Sequence, residues 1–497
     1  MANFLNGLKQ ATNYTLTENG GVTHFTTHSD LLDMFAMGAA YRNRSDEDVI
    51  LMWRKAYKEN PVYALKCLFY IRDVRGGQGE RRFFRVCLRD LAKTDAEAVR
   101  RNIQNIHEYG RWDDLYALVG TPCERDAFAE MKRQLALDVQ CKTPSLLAKW
   151  LKSENTSSAE SRALATKTRR YLGWNHKQYR KTLSILRERI NLLERLMSEN
   201  RWDEIEFDKI PSRAGMIYKN AFARRDIIKA KYEKFAKDEN TKVNAKALYP
   251  YECVDNAIKS MNNSTARAMT NKYWENLADY FNGKTFNGLA VVDTSASMRG
   301  ITASAPINVA ISLGMYCAEK AKGPFANHYI TFSRQARLVP VEGVDFCDKV
   351  YRIYRTNLCE NTNIESVFDL LLNTAIRNNC SQDDLPQNIV IISDMEFDSA
   401  VGSYSWNRSY YSAMNSHNIQ TVMEGIAARW ATHGYKMPHL IFWNVDARQN
   451  NIPMLGNGPV SFVSGFSPSI FETILSGKTG YDLMMEKLNS DRYKAVR

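Results

Sequence analysis

Two carboxylates and three hydroxyls in the second half of this 497-residue chain have the types and spacing to hold an ion. Asp293, Ser295 and Ser297 stand at alternate positions directly after the apolar run Leu289–Val292. A buried strand ending there delivers three oxygens into one loop. Asp394 follows a second apolar run, Ile389–Ile392, and Thr362 precedes an amphipathic segment, with Thr356 a nearby rival. Aspartates and serines are common in turns and as helix caps. Four oxygen donors after core strands, with Thr362 able to add a fifth, are instead a donor set that suits a hard divalent cation, Mg²⁺ in particular. The set does not imply catalysis. The eight histidines are dispersed, no nucleophile motif accompanies them, and phosphodiester-cleaving sites place more carboxylates around the ion. No enzyme is expected, and a metal-dependent nuclease is the outlying alternative.

The elements that must position these residues follow from periodicity. Beyond about residue 285, short apolar runs alternate with amphipathic segments. Leu289–Val292, His328–Phe332, Ile389–Ile392, Leu440–Trp443 and Val460–Val463 read as buried strands. Ile307–Lys320, Ile364–Arg377, Val422–Thr432 and Ile470–Leu475 read as helices. That alternation predicts a doubly wound, mainly parallel α/β domain, with ligands at the carboxyl ends of its strands. The turn-rich stretch from Phe281 to Gly288 marks the expected boundary between residues 1–285 and 286–497. Residues 1–285 read as all-α, with apolar residues three and four apart, most clearly from Lys177 to Met197. Arg111-Trp112-Asp113-Asp114 and Arg201-Trp202-Asp203-Glu204 echo each other and fit stacked helix pairs of the HEAT-like kind.

The order strand–DxSxS, threonine, strand–aspartate resembles the metal-ion-dependent adhesion site of von Willebrand factor A domains. That resemblance implies that Asp293, Ser295, Ser297, Thr362 and Asp394 coordinate the ion directly or through water. It also implies a free position for an acidic group of a protein partner. Ala296 departs from the commoner DxSGS pattern at a position that is not a ligand.

Charge points to a second partner. The net charge is +12, and residues 1–285 hold 49 Lys and Arg against 36 Asp and Glu. The remainder is close to neutral. A basic helical region joined to a neutral one points to a polyanion, RNA foremost. The segment RDVRGGQGERR (72–82) places Arg72, Arg75, Arg81 and Arg82 around three glycines. Its amides can cradle a phosphate, or the segment is a tight interhelical turn with arginines on its rim. Arg169, Arg170, Lys177, Arg180 and Lys181 complete the expected nucleic-acid contacts.

RDVRGGQGER, YGRWDDL (109–115), LLAKWLKSENTSS (146–158), KQYRKTLSILRE (177–188) and KIPSRAG (209–215) resemble the landmarks of a domain-of-unknown-function family found in viral, plant and fungal proteins. SDMEFD (393–398), FWNVDA (442–447) and VSGFS (463–467) match its C-terminal landmarks, so the resemblance covers most of the chain from about residue 50. The family is similar in layout to Ro ribonucleoproteins, in which a TROVE ring of helical repeats binds RNA beside a von Willebrand A domain. The resemblance implies a Ro-like RNA-binding protein, with a metal-dependent protein–protein adaptor as the alternative. No apolar stretch is long enough for a membrane span, and no signal peptide is evident. Nine scattered cysteines suggest a reducing, cytoplasmic compartment, that of the host if the protein is viral. Tyr404, Trp406, Tyr410 and Tyr411 of the segment 397–418 follow Asp394, either as a loop over the metal site or as surface without a role.

Overall fold

The computed structural model describes residues 2–245, 248–260, 262–299, 305–331, 335–356, 362–398, 421–455 and 459–497. Six strands form one sheet: β3 (Gly288–Val292), β4 (His328–Thr331), β5 (Arg337–Pro340), β6 (Asn388–Ser393), β7 (His439–Asn444) and β8 (Val460–Ser464). Their spatial order is β5-β4-β3-β6-β7-β8, and every pair is parallel except β4–β5. Four of the parallel strands run apolar on consecutive residues because neither face meets water, and β3 and β8 are buried along their full length. The edge strand β5 is mostly exposed, so it lacks the apolar run that revealed the others.

Strand order reverses at the centre of this sheet. From β3 the chain moves outward to β4, then returns to place β6 on the other side of β3. The crevice beyond the carboxyl ends of β3 and β6 is therefore the topological switch point, where open α/β sheets bind ligands. Val292 pairs with Ile392, so Asp293, just past the end of β3, lies beside Ser393, the last residue of β6. The helix Pro306–Lys320 packs against β3 and β4.

The chain divides into two compact units, and neither is a contiguous half. One comprises residues 1–64 and 248–489; the other comprises 65–247 and 490–497. The first 64 residues thus cluster with the sheet, which a boundary placed at 285 does not convey. Residues 1–285 are also not all helical, because β1 (Tyr14–Leu16) and β2 (Val22–His24) form an antiparallel pair. Three-residue strands are too short to show a period.

The second unit is mostly helical. Ala159–Leu172 and His176–Arg189 both pack on Glu124–Gln140, and Ser212–Arg224 packs on Asp226–Lys237. The helix expected over Lys177–Met197 is two helices, His176–Arg189 and Leu193–Ser198. Asn191 breaks it with a left-handed backbone (φ 47°), a conformation that asparagine tolerates better than most residues. The two Arg-Trp echoes are alike in structure. Trp112 and Trp202 each open a 3₁₀ turn and are buried.

Candidate functional site

Asp293 is fully buried where β3 ends. Its Oδ1 accepts the Ser295 amide at 2.9 Å, and its Oδ2 accepts the Ser393 hydroxyl at 2.6 Å. The hydroxyls of Ser295 and Ser297 lie 2.8 Å apart. Asp394 is buried at the end of β6, and its neighbour Met395 has a left-handed backbone (φ 65°). For a buried methionine that is a strained conformation, of the kind that collects at functional sites. Thr362 is buried just before the helix Ile364–Arg377, and its carbonyl accepts the Asp398 amide at 3.0 Å. That bond ties the Thr362 segment to the chain leaving Asp394. The rival Thr356 closes the helix Phe346–Thr356.

Two buried acids of this crevice are held back from ionising. Burial, reinforced by the Asp394 charge, pushes the Asp293 carboxyl up to about 7. Glu396, two residues beyond Asp394, is also pushed up to about 7, chiefly by burial. Among the described residues no group of three His, Cys, Asp or Glu is placed to hold a metal. A metal here would therefore rely on hydroxyl oxygens, and the paired serine hydroxyls beside a buried carboxylate fit a hard, oxygen-seeking ion.

Sequence reasoning missed the counter-ion. Arg448 donates to Asp394 at 2.8 Å and pairs with Glu18 at 2.6 Å. It lies 54 positions from Asp394, directly after the landmark FWNVDA (442–447), and nothing in the sequence pairs the two residues. The residues 399–420, including Tyr404, Trp406, Tyr410 and Tyr411, lie outside the described residues.

The arginine-rich segment at 72–82 is a structural turn, not a phosphate cradle. The amides of Gln78, Gly79 and Glu80 donate to the carbonyls of Tyr70, Asp73 and Ile71 at 2.8–3.1 Å, which leaves them unavailable to an anion. A Cβ on Gly77 would collide with the Tyr70 carbonyl, which accounts for that glycine. Arg72 is buried and bound to Asp114, with Nη2 at 2.7 Å and Nε at 2.8 Å from Oδ2. Asp114 also receives Arg85 at 2.6 Å and caps the Arg111 amide at 2.9 Å. The RWDD motif is the carboxylate half of this network.

The turn also holds the last residues of the chain. The buried Asp73 carboxylate accepts from Arg492 and from the Tyr493 hydroxyl, and Tyr493 stacks on Tyr109 at 5.5 Å. Asn105 Nδ2 donates to the Ala495 carbonyl at 2.9 Å. Partners some 400 positions away were invisible to pattern reading.

The other basic residues divide by exposure. Arg169 is spent on Glu154 and the Trp174 carbonyl, at 2.8 and 2.9 Å, so it is withdrawn from the expected contacts. Arg75 is exposed and pairs with Glu108 at 3.1 Å. Arg81 is exposed and Arg82 half-buried. Arg170, Lys177, Arg180 and Lys181 are all exposed, on two helices that share a packing partner. Residues 161–187 carry eight Lys and Arg and no Asp or Glu.

Residues 17–145 and 137–283 match a family described as a domain of unknown function, DUF2828. The match spans more than half of the chain. The chain belongs to this family. Residues 287–495 match a second domain of unknown function, DUF7788. The chain is 28% identical over 511 residues to the uncharacterized protein L728 of Acanthamoeba polyphaga mimivirus, covering 94% of this chain and 85% of that one. A comparison with solved structures finds the Ro (RSR) protein of Deinococcus radiodurans at 12% identity and a TM-score of 0.33, over 89% of this chain and 92% of that one. Among the described residues no helix is long and apolar enough to cross a membrane. The eight described cysteines are free thiols.

Proposed function

We propose that this chain is a non-enzymatic RNA-binding protein whose helical unit holds RNA phosphates. We propose further that its sheet unit is of the von Willebrand A type and docks partners through a divalent ion. One observation carries the RNA reading. The helical unit (65–247 and 490–497) holds 42 Lys and Arg against 26 Asp and Glu, a net +16; the remaining 25 against 29 leave the sheet unit at −4. Such an imbalance costs self-repulsion in the folded state and is relieved by a polyanion. The acid-free run 161–187 is the proposed contact face, through Arg170, Lys177, Arg180 and Lys181. Filter binding of a fluorescent structured RNA tests this. Submicromolar binding at moderate salt is expected, with the RNA left uncut in Mg²⁺ or Mn²⁺. Cleavage would move the reading to a nuclease.

The ion reading assigns Asp293, Ser295, Ser297, Thr362 and Asp394 as ligands, and it is supported by Asp293 and Asp394 standing at the ends of neighbouring strands at the switch point, with Mg²⁺ supplying charge compensation there. An acidic protein partner is the ligand that such an ion would take. The raised Asp293 carboxyl makes a pH prediction. Its folded value, about 7, lies above the unfolded value of 3.8. The metal-free protein therefore loses stability as pH rises from about 4 to 7, because ionising the group in the fold is costly. Ion binding needs the carboxylate, so Mg²⁺ affinity should rise about tenfold between pH 6 and 8. Calorimetry at the two pH values checks this. Asp293→Asn should abolish both the binding and its pH dependence, and a flat wild-type profile would contradict the assignment.

A further inference from the structure

Arg448 joins the Asp394 crevice to the β1–β2 hairpin. Its Nη2 donates to Asp394 Oδ2 at 2.8 Å, and its Nη1 pairs with Glu18 Oε2 at 2.6 Å. Glu18 sits at the tip of the β1–β2 hairpin, which is fastened to the chain leaving Asp394. The Glu18 amide donates to Glu396 Oε2 at 2.7 Å, and Asn19 Nδ2 to the Glu396 carbonyl at 2.5 Å. Thr17 Oγ1 donates to the Phe397 carbonyl at 2.5 Å. Gly21 permits this approach, since a Cβ there would stand 2.6 Å from the Phe397 carbonyl oxygen. The guanidinium thus bridges two carboxylates, one in the ion crevice and one on the hairpin. Among the described residues, Arg448 Nε and Glu396 Oε1 are both buried without a hydrogen-bond partner.

We propose that Arg448 is a resident counter-cation of Asp394 that a divalent ion must displace, and that Glu18 is the carboxylate to which the guanidinium is released. This rests on the ion reading above. Two effects act in the same direction. A fixed positive charge next to a ligand carboxylate repels an incoming cation, and for a divalent ion about 5 Å away this is roughly 15-fold in affinity even at the dielectric of water. Without the arginine, buried Asp394 loses its ion-pair partner among the described residues, so a metal ion gains more by binding. Glu18 offsets the repulsion by offering the displaced guanidinium a partner outside the crevice. The hairpin would then set the affinity of the site without contributing a ligand to it.

The test is a double-mutant cycle read by calorimetry, with Mg²⁺ alone as the probe and the whole chain as the protein. Arg448→Met should bind Mg²⁺ about 10- to 100-fold more tightly than wild type. Glu18→Gln, which removes the guanidinium's ion-pair partner on the hairpin, should bind it several-fold more weakly. In the Arg448→Met background, Glu18→Gln should have almost no effect. Unchanged or weakened binding by Arg448→Met, with wild type still binding, overturns the proposal and leaves the ion reading intact. If neither wild type nor Arg448→Met binds Mg²⁺, the ion reading fails and the proposal fails with it. If Arg448→Met does not fold, Glu18→Gln decides: unchanged or tighter Mg²⁺ binding overturns the proposal.

Discussion

Asp114→Ala should destabilise the helical unit by about 3–5 kcal/mol, the cost of breaking a buried ion pair from one side. Asp114 is fully buried and receives Arg72 and Arg85, while Arg72 itself is almost entirely buried. Removing the carboxylate leaves the Arg72 guanidinium in the interior with no compensating charge. Arg85 suffers less because it retains Asp113 at 3.0 Å. The turn formed by residues 73–80 should loosen next, since Arg72 immediately precedes it. Hydrogen exchange across residues 65–118 during urea unfolding would report the loss. Arg72→Met combined with Asp114→Leu should recover part of it, because an apolar pair of similar volume carries no desolvation cost. If Asp114→Ala unfolds at the wild-type urea concentration, the network is not what holds this turn.

Replacing Arg170, Lys177, Arg180 and Lys181 together by alanine should weaken RNA binding by about two to three decades near 150 mM salt. The estimate follows from counterion release, which makes each phosphate contact worth a little under one decade at that salt. Stability should stay close to wild type, because these four side chains are exposed and belong to helices held by other residues. Tyr179, Leu183 and Leu186 supply the buried face of His176–Arg189. Arg187 anchors the same helix by donating to the carbonyls of Ala148 and Leu151 at 2.9 Å, so replacing it would confuse stability with binding. An RNA affinity unchanged by the fourfold replacement would place the contact face elsewhere.

What could be read from the sequence followed from local physics. The runs at 289–292 and 389–392 are buried on both faces, so composition alone revealed β3 and β6 and set Asp293 and Asp394 at their ends. The helices at 364–377 and 422–432 were equally legible from their periods. The three glycines at 76, 77 and 79 were ambiguous because free and occupied amides look alike in sequence. Their use was decided by the helix end they fold back on and by Asp73, whose partners Arg492 and Tyr493 are distant in sequence. Arg72 and Arg169 were read as surface cations because a buried, paired arginine carries no signature until its carboxylate is located. Arg448 and Glu18 were missed for the same reason. The β1–β2 hairpin was missed because six strand residues cannot establish an alternation.

If RNA is held through phosphate contacts on the helical unit, its affinity must depend steeply on salt. The whole chain and the fourfold variant should be titrated with one structured RNA between about 50 and 200 mM KCl. With four or more contacts at 0.7–0.9 counterions each, a wild-type plot of log affinity against log salt should fall with a slope of about −3 or steeper. The variant should lose about 3 units of that slope. A shallow wild-type slope, or the same slope in both proteins, would contradict the account.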